Sequence, residues 1–158
     1  MKAMNFELLD ESLTSALAAR FAHLLKAPAV LAFRGEIGAG KTTFIRAMLQ
    51  SLGITSAIKS PTFSLVETYQ CKDLLIHHFD LYRIEEDSEL EYIGFRDYFT
   101  HESICCIEWP DRIQGTLLAI DLDFSLLIKG SGRTMRVTSL SAAGDNILAC
   151  FAGNDEQT

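Results

Sequence analysis

Gly35-Glu36-Ile37-Gly38-Ala39-Gly40-Lys41-Thr42 follows the pattern G-x-x-x-x-G-K-[ST], and its reading decides the fold. A glycine-rich turn of this kind lets successive backbone N–H groups converge on phosphate oxygens. The lysine reaches the terminal phosphates, the threonine hydroxyl serves a divalent cation, and the helix that begins there adds the positive end of its dipole. The flanks agree with this reading. Ala29 to Arg34 is a short apolar run of the kind found in a buried parallel strand. Phe44, Ile45, Met48, Leu49 and Leu52 recur at helical spacing, with Gly53 where a helix C′ glycine belongs. Strand, loop and helix occur in the required order, so Glu36, Ile37, Gly38, Ala39, Gly40, Lys41, Thr42 and Thr43 are expected to bind a nucleotide.

Moving outward, Phe6 to Leu9 reads as a first strand. Asp10 can cap a helix with Leu13, Leu17, Phe21, Leu24 and Leu25 on its apolar face, ended before Pro28. The segment 60–69 passes from a Ser-Pro turn into strand character, and Leu74 to Leu81 reads as its hairpin partner around Gln70 to Asp73. Ser88 and Glu91 have capping-box spacing for a short helix ending near Gly94. Ile104-Cys105-Cys106-Ile107-Glu108 has the composition of a buried parallel strand closed by an acid. Leu122 to Ile128, Lys129-Gly130-Ser131-Gly132 and the stretch around Met135 and Val137 read as an antiparallel hairpin on the sheet edge.

A phosphate loop needs a carboxylate on a neighbouring strand to face the cation, and a group that orients the attacking water. Asp80 and Glu108 each end an apolar strand. Glu108 is favoured beside Thr42 on the metal, with Asp80 acting on water or from behind, and the reverse assignment fits the same pattern. Thr62, at a strand start after Ser60-Pro61, suits a loop that senses the terminal phosphate. Arg112 and Arg133 could reach phosphate or base. Trp109 is either a core anchor or an aromatic beside the site. His77 and His78, adjacent on a strand, point to opposite faces and are no chelating pair.

Composition narrows the classes. A chain of 158 residues that is 48% hydrophobic suits one domain over 1–158. No apolar run reaches the ~20 residues of a membrane span, and the N-terminus lacks a signal-peptide core, so a soluble cytoplasmic protein is expected. Cys71, Cys105, Cys106 and Cys150 form no C-x-x-C pair and read as reduced core thiols. From Ile84 to Arg112 nine acids face two arginines, which accounts for the whole net charge of −7. Such a chain gains nothing from counterion release, so direct contact with tRNA or other nucleic acid is not expected. The acidic stretch is either a solvated face or a surface for a basic protein partner. Guanine-reading Asn-Lys-x-Asp is absent, and no arginine-bearing lid can be placed, which leaves a P-loop small-molecule kinase as the alternative to an ATPase.

Four segments in order, 35–43, Lys-Ser-Pro-Thr-Phe at 59–63, His-Phe-Asp-Leu-Tyr-Arg at 78–83 and Ile-Glu-Trp-Pro-Asp-Arg at 107–112, closely resemble the bacterial TsaE (YjeE) family. The resemblance runs from about Leu9 to Leu140. It implies an α/β, P-loop NTPase-like three-layer sandwich, its mostly parallel central sheet extended by antiparallel edge strands. It also implies ATP and Mg²⁺ as ligands, with Lys41, Asp80 and Glu108 catalytic, Thr42 and Glu108 on the metal, and Thr62 switch-like. The implied role is that of an ATP-hydrolysing accessory subunit in making threonylcarbamoyladenosine in tRNA. The implied partners are the transferase subunit and its inactive paralogue. The tail after Ala142 matches nothing in the resemblance.

Overall fold

The strands most uniformly apolar in sequence lie side by side near the middle of the sheet. A computed structural model describes residues 2–54, 58, 61, 64–113 and 119–156. β1 (Ala3–Leu8) leads to α1 (Glu11–Leu24), β2 (Ala29–Arg34) and α2 (Lys41–Ser51). The β3 (Val66–Cys71) and β4 (Leu74–Asp80) hairpin follows, then α3 (Asp87–Tyr92), a 3-10 turn (Phe95–Tyr98) and β5 (Ser103–Glu108). The chain closes with β6 (Leu122–Lys129), β7 (Gly132–Ser139) and α4 (Ala142–Glu156). The seven strands are ordered β1-β7-β6-β2-β5-β4-β3, so β2 stands at the centre. β6, β2, β5 and β4 are mutually parallel, while β3, β7 and β1 extend the sheet antiparallel. The α/β class and the parallel core with antiparallel additions are as expected.

Period-two alternation divides the sheet into two faces. Leu31, Phe33, Ile76, Ile104, Cys106, Leu122 and Phe124 join the main core with Phe21 of α1, Phe44 of α2 and Phe151 of α4. Phe33 stacks on Phe124 at 4.6 Å between ring centroids, and Phe21 stacks on Phe151 at 4.5 Å. Phe79, Cys105 and Ile107 face the other way and are covered by Leu90 of α3 and Phe95. That second cover sits over β4 and β5; farther across the sheet Asn5, Glu7 and Arg136 are exposed.

Several local readings change. The β6–β7 hairpin is not the edge, because β6 pairs in parallel with β2 and β1 adds beyond β7. The alternating pattern that suggested an edge reflects a polar outer face, which an interior strand can also have. β1 begins three residues earlier than expected, and the start of the 60–69 segment lies largely outside the described residues. Asp10 caps α1 by accepting from Leu13 N at 2.9 Å, but Leu13 itself is exposed and the buried face is Leu17, Ala18, Phe21 and Ala22. The α3 box uses Glu86 and Glu89 instead of Ser88 and Glu91: Glu89 Oε2 accepts from Glu86 N at 3.0 Å. Cys105 and Cys106 are core thiols, whereas Cys71 is half-buried and Cys150 exposed. No helix of the described residues is long and apolar enough to cross a membrane.

The unassigned tail is α4, and one acid clasps it to the sheet. Asp121 Oδ2 accepts from Val30 N at 2.8 Å, and its Oδ1 accepts from Ser141 Oγ at 2.6 Å just before the helix. Gly144 passes so close to the Asp121 carbonyl that a Cβ would overlap its oxygen. Gly144→Ala is therefore expected to lower unfolding free energy by about 1–3 kcal/mol, as overpacking does. Phe124→Ala, which empties the centre of the ring cluster, should cost about 3–5 kcal/mol. Urea unfolding that shows either variant as stable as the parent chain would contradict this packing.

His77 faces the α3 side, with its ring edge-on to Tyr98 at 4.9 Å. Burial lowers its pKa below the ordinary 6.5. The unfolded chain thus binds this proton more readily than the folded one, so stability is whole above about pH 6.5 and declines as pH falls below it. His77→Gln should flatten that acid-side decline in unfolding titrations, and an unchanged slope would mean another group is responsible.

Candidate functional site

β2, β5 and β4 run parallel and end at the same rim, which is where open α/β sheets build sites. The register fixes the geometry: Phe33 stands beside Glu108 and Glu108 beside Asp80. After β2 the chain turns through Gly35, where a Cβ would lie 2.6 Å from the Leu126 carbonyl oxygen. Gly40, at φ +102, then leads into α2, and Phe44 N donates to its carbonyl at 2.9 Å. Only glycine makes that close approach and that left-handed entry without strain.

The turn, the start of α2 and the strand ends enclose a cavity of about 410 Å³. Ile37, Gly38, Ala39, Gly40, Lys41, Thr42, Thr43, Asp80, Glu108 and Arg133 line it, joined by Tyr82 and Trp109. Glu36 contributes its carbonyl, which accepts from Lys41 Nζ at 3.2 Å, and Gly35 O is a second acceptor. Lys41 is buried, and burial pulls its ammonium below the ordinary lysine range, against the opposing charges of Glu108, Asp80 and Glu36. A buried ammonium among acceptors is a ready partner for phosphate oxygens.

Thr42 Oγ1 donates to Glu108, 3.0 Å from each carboxylate oxygen. Asp80, also buried, accepts from Tyr82 N at 3.1 Å through Oδ1. Among the described residues no three or more His, Cys, Asp or Glu side chains form a metal cluster. The hydroxyl of Thr42 and the carboxylate of Glu108 are hard oxygen donors, a set that suits Mg²⁺ with phosphate and water completing its shell.

Trp109 follows Glu108 in the left-handed region, at φ +61, a conformation that costs a non-glycine residue on the order of 1–3 kcal/mol. Its ring is held by neighbours that line the same cavity: Lys41 Nζ is 4.1 Å from the centroid and the Tyr82 ring 5.0 Å. Trp109 is thus the aromatic beside the site. Arg34, just before the turn, donates from Nε to Asp123 at 2.9 Å and pairs with Asp111, tying the Trp109 loop to β6. Arg133 reaches in from β7, donating from Nη2 to Gly38 O at 2.9 Å. Arg112 stands off the cavity lining, its guanidinium 5.5 Å from the Tyr82 ring. Thr62 lies outside the described residues.

One contact at the site escaped the sequence reading. His78 Nε2 lies 2.6 Å from Glu108 Oε2 in the buried interior. The two histidines do face opposite ways, which removed them as a chelating pair. The same alternation, counted back two residues from Asp80, puts His78 on the face of both acids.

The model of the family described as threonylcarbamoyl adenosine biosynthesis protein TsaE matches residues 8–137. The tRNA threonylcarbamoyladenosine biosynthesis protein TsaE of Haemophilus influenzae is 42% identical over 118 residues, covering 75% of each chain. That of Bacillus subtilis is 34% identical over 145 residues, 92% of this chain and 89% of the relative. The crystal structure of Bacillus subtilis YdiB superposes with a TM-score of 0.83 at 25% identity, over 98% of this chain and 97% of the other. Fold, motifs and comparisons agree, and the chain belongs to the TsaE family.

Proposed function

We propose that the chain binds ATP with Mg²⁺ in the cavity at the strand ends and hydrolyses it. The purpose is that of an accessory subunit in making threonylcarbamoyladenosine in tRNA, the process named in its relatives. The observation that carries the reading is the convergence of Lys41, Thr42, Glu108 and Asp80 on one cavity behind a glycine-rich turn. Lys41 would neutralise phosphate charge that grows in the transition state. Thr42 and Glu108 would hold Mg²⁺, which screens the phosphate oxygens when bound. Asp80, on the neighbouring strand, is the candidate for orienting the attacking water. The transferase subunit and its inactive paralogue are the proposed partners, and they would receive the result of the hydrolysis without this chain touching tRNA itself.

Lys41→Ala is expected to weaken ATP binding about 10- to 100-fold, since hydrogen bonds to charged groups contribute roughly 1.5–3 kcal/mol. Asp80→Asn should leave ATP affinity nearly intact while lowering turnover about 100-fold or more, as loss of a positioned acid–base group does. Phosphate release followed with purified chain, ATP and Mg²⁺, with and without the partner proteins, reads both effects. Turnover unaffected by either substitution would sink the proposal, and phosphate delivered to a small acceptor in place of water would favour the kinase.

A further inference from the structure

His77 and His78 are consecutive on β4 and are held in opposite ways. His77 is a satisfied core histidine: its Nδ1 pairs with the Thr68 hydroxyl at 2.8 Å and its Nε2 with the Ser103 hydroxyl at 3.3 Å. His78 is 1% exposed, and its Nδ1 is buried with no hydrogen-bond partner among the described residues. A buried polar atom left unpaired costs on the order of 1–3 kcal/mol. A side chain needed only to fill that space would serve better as leucine or phenylalanine. The hydrogen bond that His78 does make goes to Glu108, the carboxylate proposed for the cation.

Thr42 alone does not fix that carboxylate. Its hydroxyl is 3.0 Å from Oε1 and 3.0 Å from Oε2, and a donor midway between two oxygens restrains the roll of the group only weakly. The terminal torsion of glutamate is broad and two-fold, so the side chain supplies no strong preference of its own. The His78 contact breaks the symmetry. It goes to Oε2, at 2.6 Å, a short charge-assisted bond. With the single Thr42 proton shared between the two oxygens, Oε2 carries the His78 donor in addition, which leaves Oε1 with the greater free lone-pair capacity.

From this asymmetry we infer that His78 is a positioning residue whose Nε2–H clamps Glu108 Oε2 and so presents Oε1 to the Mg²⁺ of the bound nucleotide. The inference rests on the proposed cation site. Partners of this kind behind a metal ligand commonly change metal affinity 10- to 100-fold when removed.

The test separates reach from polarity. The amide nitrogen of glutamine stands roughly where Nε2 stands, and that of asparagine where Nδ1 stands. ADP binding to the full chain is titrated through Trp109, its single tryptophan, in EDTA and across a Mg²⁺ series. His78→Asn is expected to bind ADP normally in EDTA but to need about 10- to 100-fold more Mg²⁺ for its half-maximal effect, while His78→Gln stays within about threefold of the parent chain. If His78→Asn binds no ADP even in EDTA, His78→Leu, which refills the space with apolar atoms, takes its place. An unchanged Mg²⁺ requirement in the reach-deficient variant overturns the inference. An equal rise in His78→Gln also overturns it, because the effect is then one of packing. Glu108→Gln is titrated in parallel: no change there overturns the cation site itself, whereas a large change there with none in the His78 variant overturns the clamp alone.

Discussion

The bond from the Thr42 hydroxyl to Glu108 joins the first turn of α2 to the end of β5, and the site depends on that closure. Two requirements must meet for it to form. The turn after β2 must be tight enough to bring the helix start back over the strand ends, and β5 must lie directly beside β2. The first is met by the close approach of Gly35 to Leu126 and the left-handed entry at Gly40. The second is met by the pairing of two apolar strands that can be buried on both faces. Behind the turn the stacked rings of Phe33 and Phe124 fill the space between β2, β6 and α2, so the loop rests on a rigid floor.

Placing a lysine, two acids and a histidine in one buried cluster works against stability, since each loses hydration. The cluster is tolerated because its members satisfy one another everywhere except at His78 Nδ1. Lys41 donates to loop carbonyls, Thr42 and His78 donate to Glu108, and Asp80 accepts from the backbone of Tyr82. The arrangement resembles the half-assembled shell of a ligand, with charges already turned toward the place where phosphate and cation would lie.

Much of this was legible in the sequence because it depends on local pattern. The glycines and Lys41-Thr42 fix the loop, apolar periodicity fixes β2 and α2, and an acid after an apolar run marks Glu108 and Asp80. What could not be read depends on which strands become neighbours. An alternating stretch states only that one face is polar, so the β6–β7 hairpin reads as a sheet edge, although β6 pairs with β2 and β1 adds outside β7. The same limit hid His78, whose partner is 30 residues away in the chain and adjacent only through the β4–β5 register. The capping acid of α3 was misplaced by two residues because Glu86 to Glu91 holds four acids with overlapping spacings.

β5 carries half of the chain's four cysteines within three residues of Glu108. Burial pushes the Cys105 thiol up to about 12, and burial with the nearby Cys105 and Glu108 pushes Cys106 up further. Oxidants and alkylating agents attack the thiolate, so both sulfurs are mute at neutral pH. The strand that supplies the carboxylate is thereby protected from redox chemistry, and a thiol reagent meets its most accessible target at Cys150 on α4. The chain can take a spectroscopic label there while the cavity at the strand ends keeps its native chemistry.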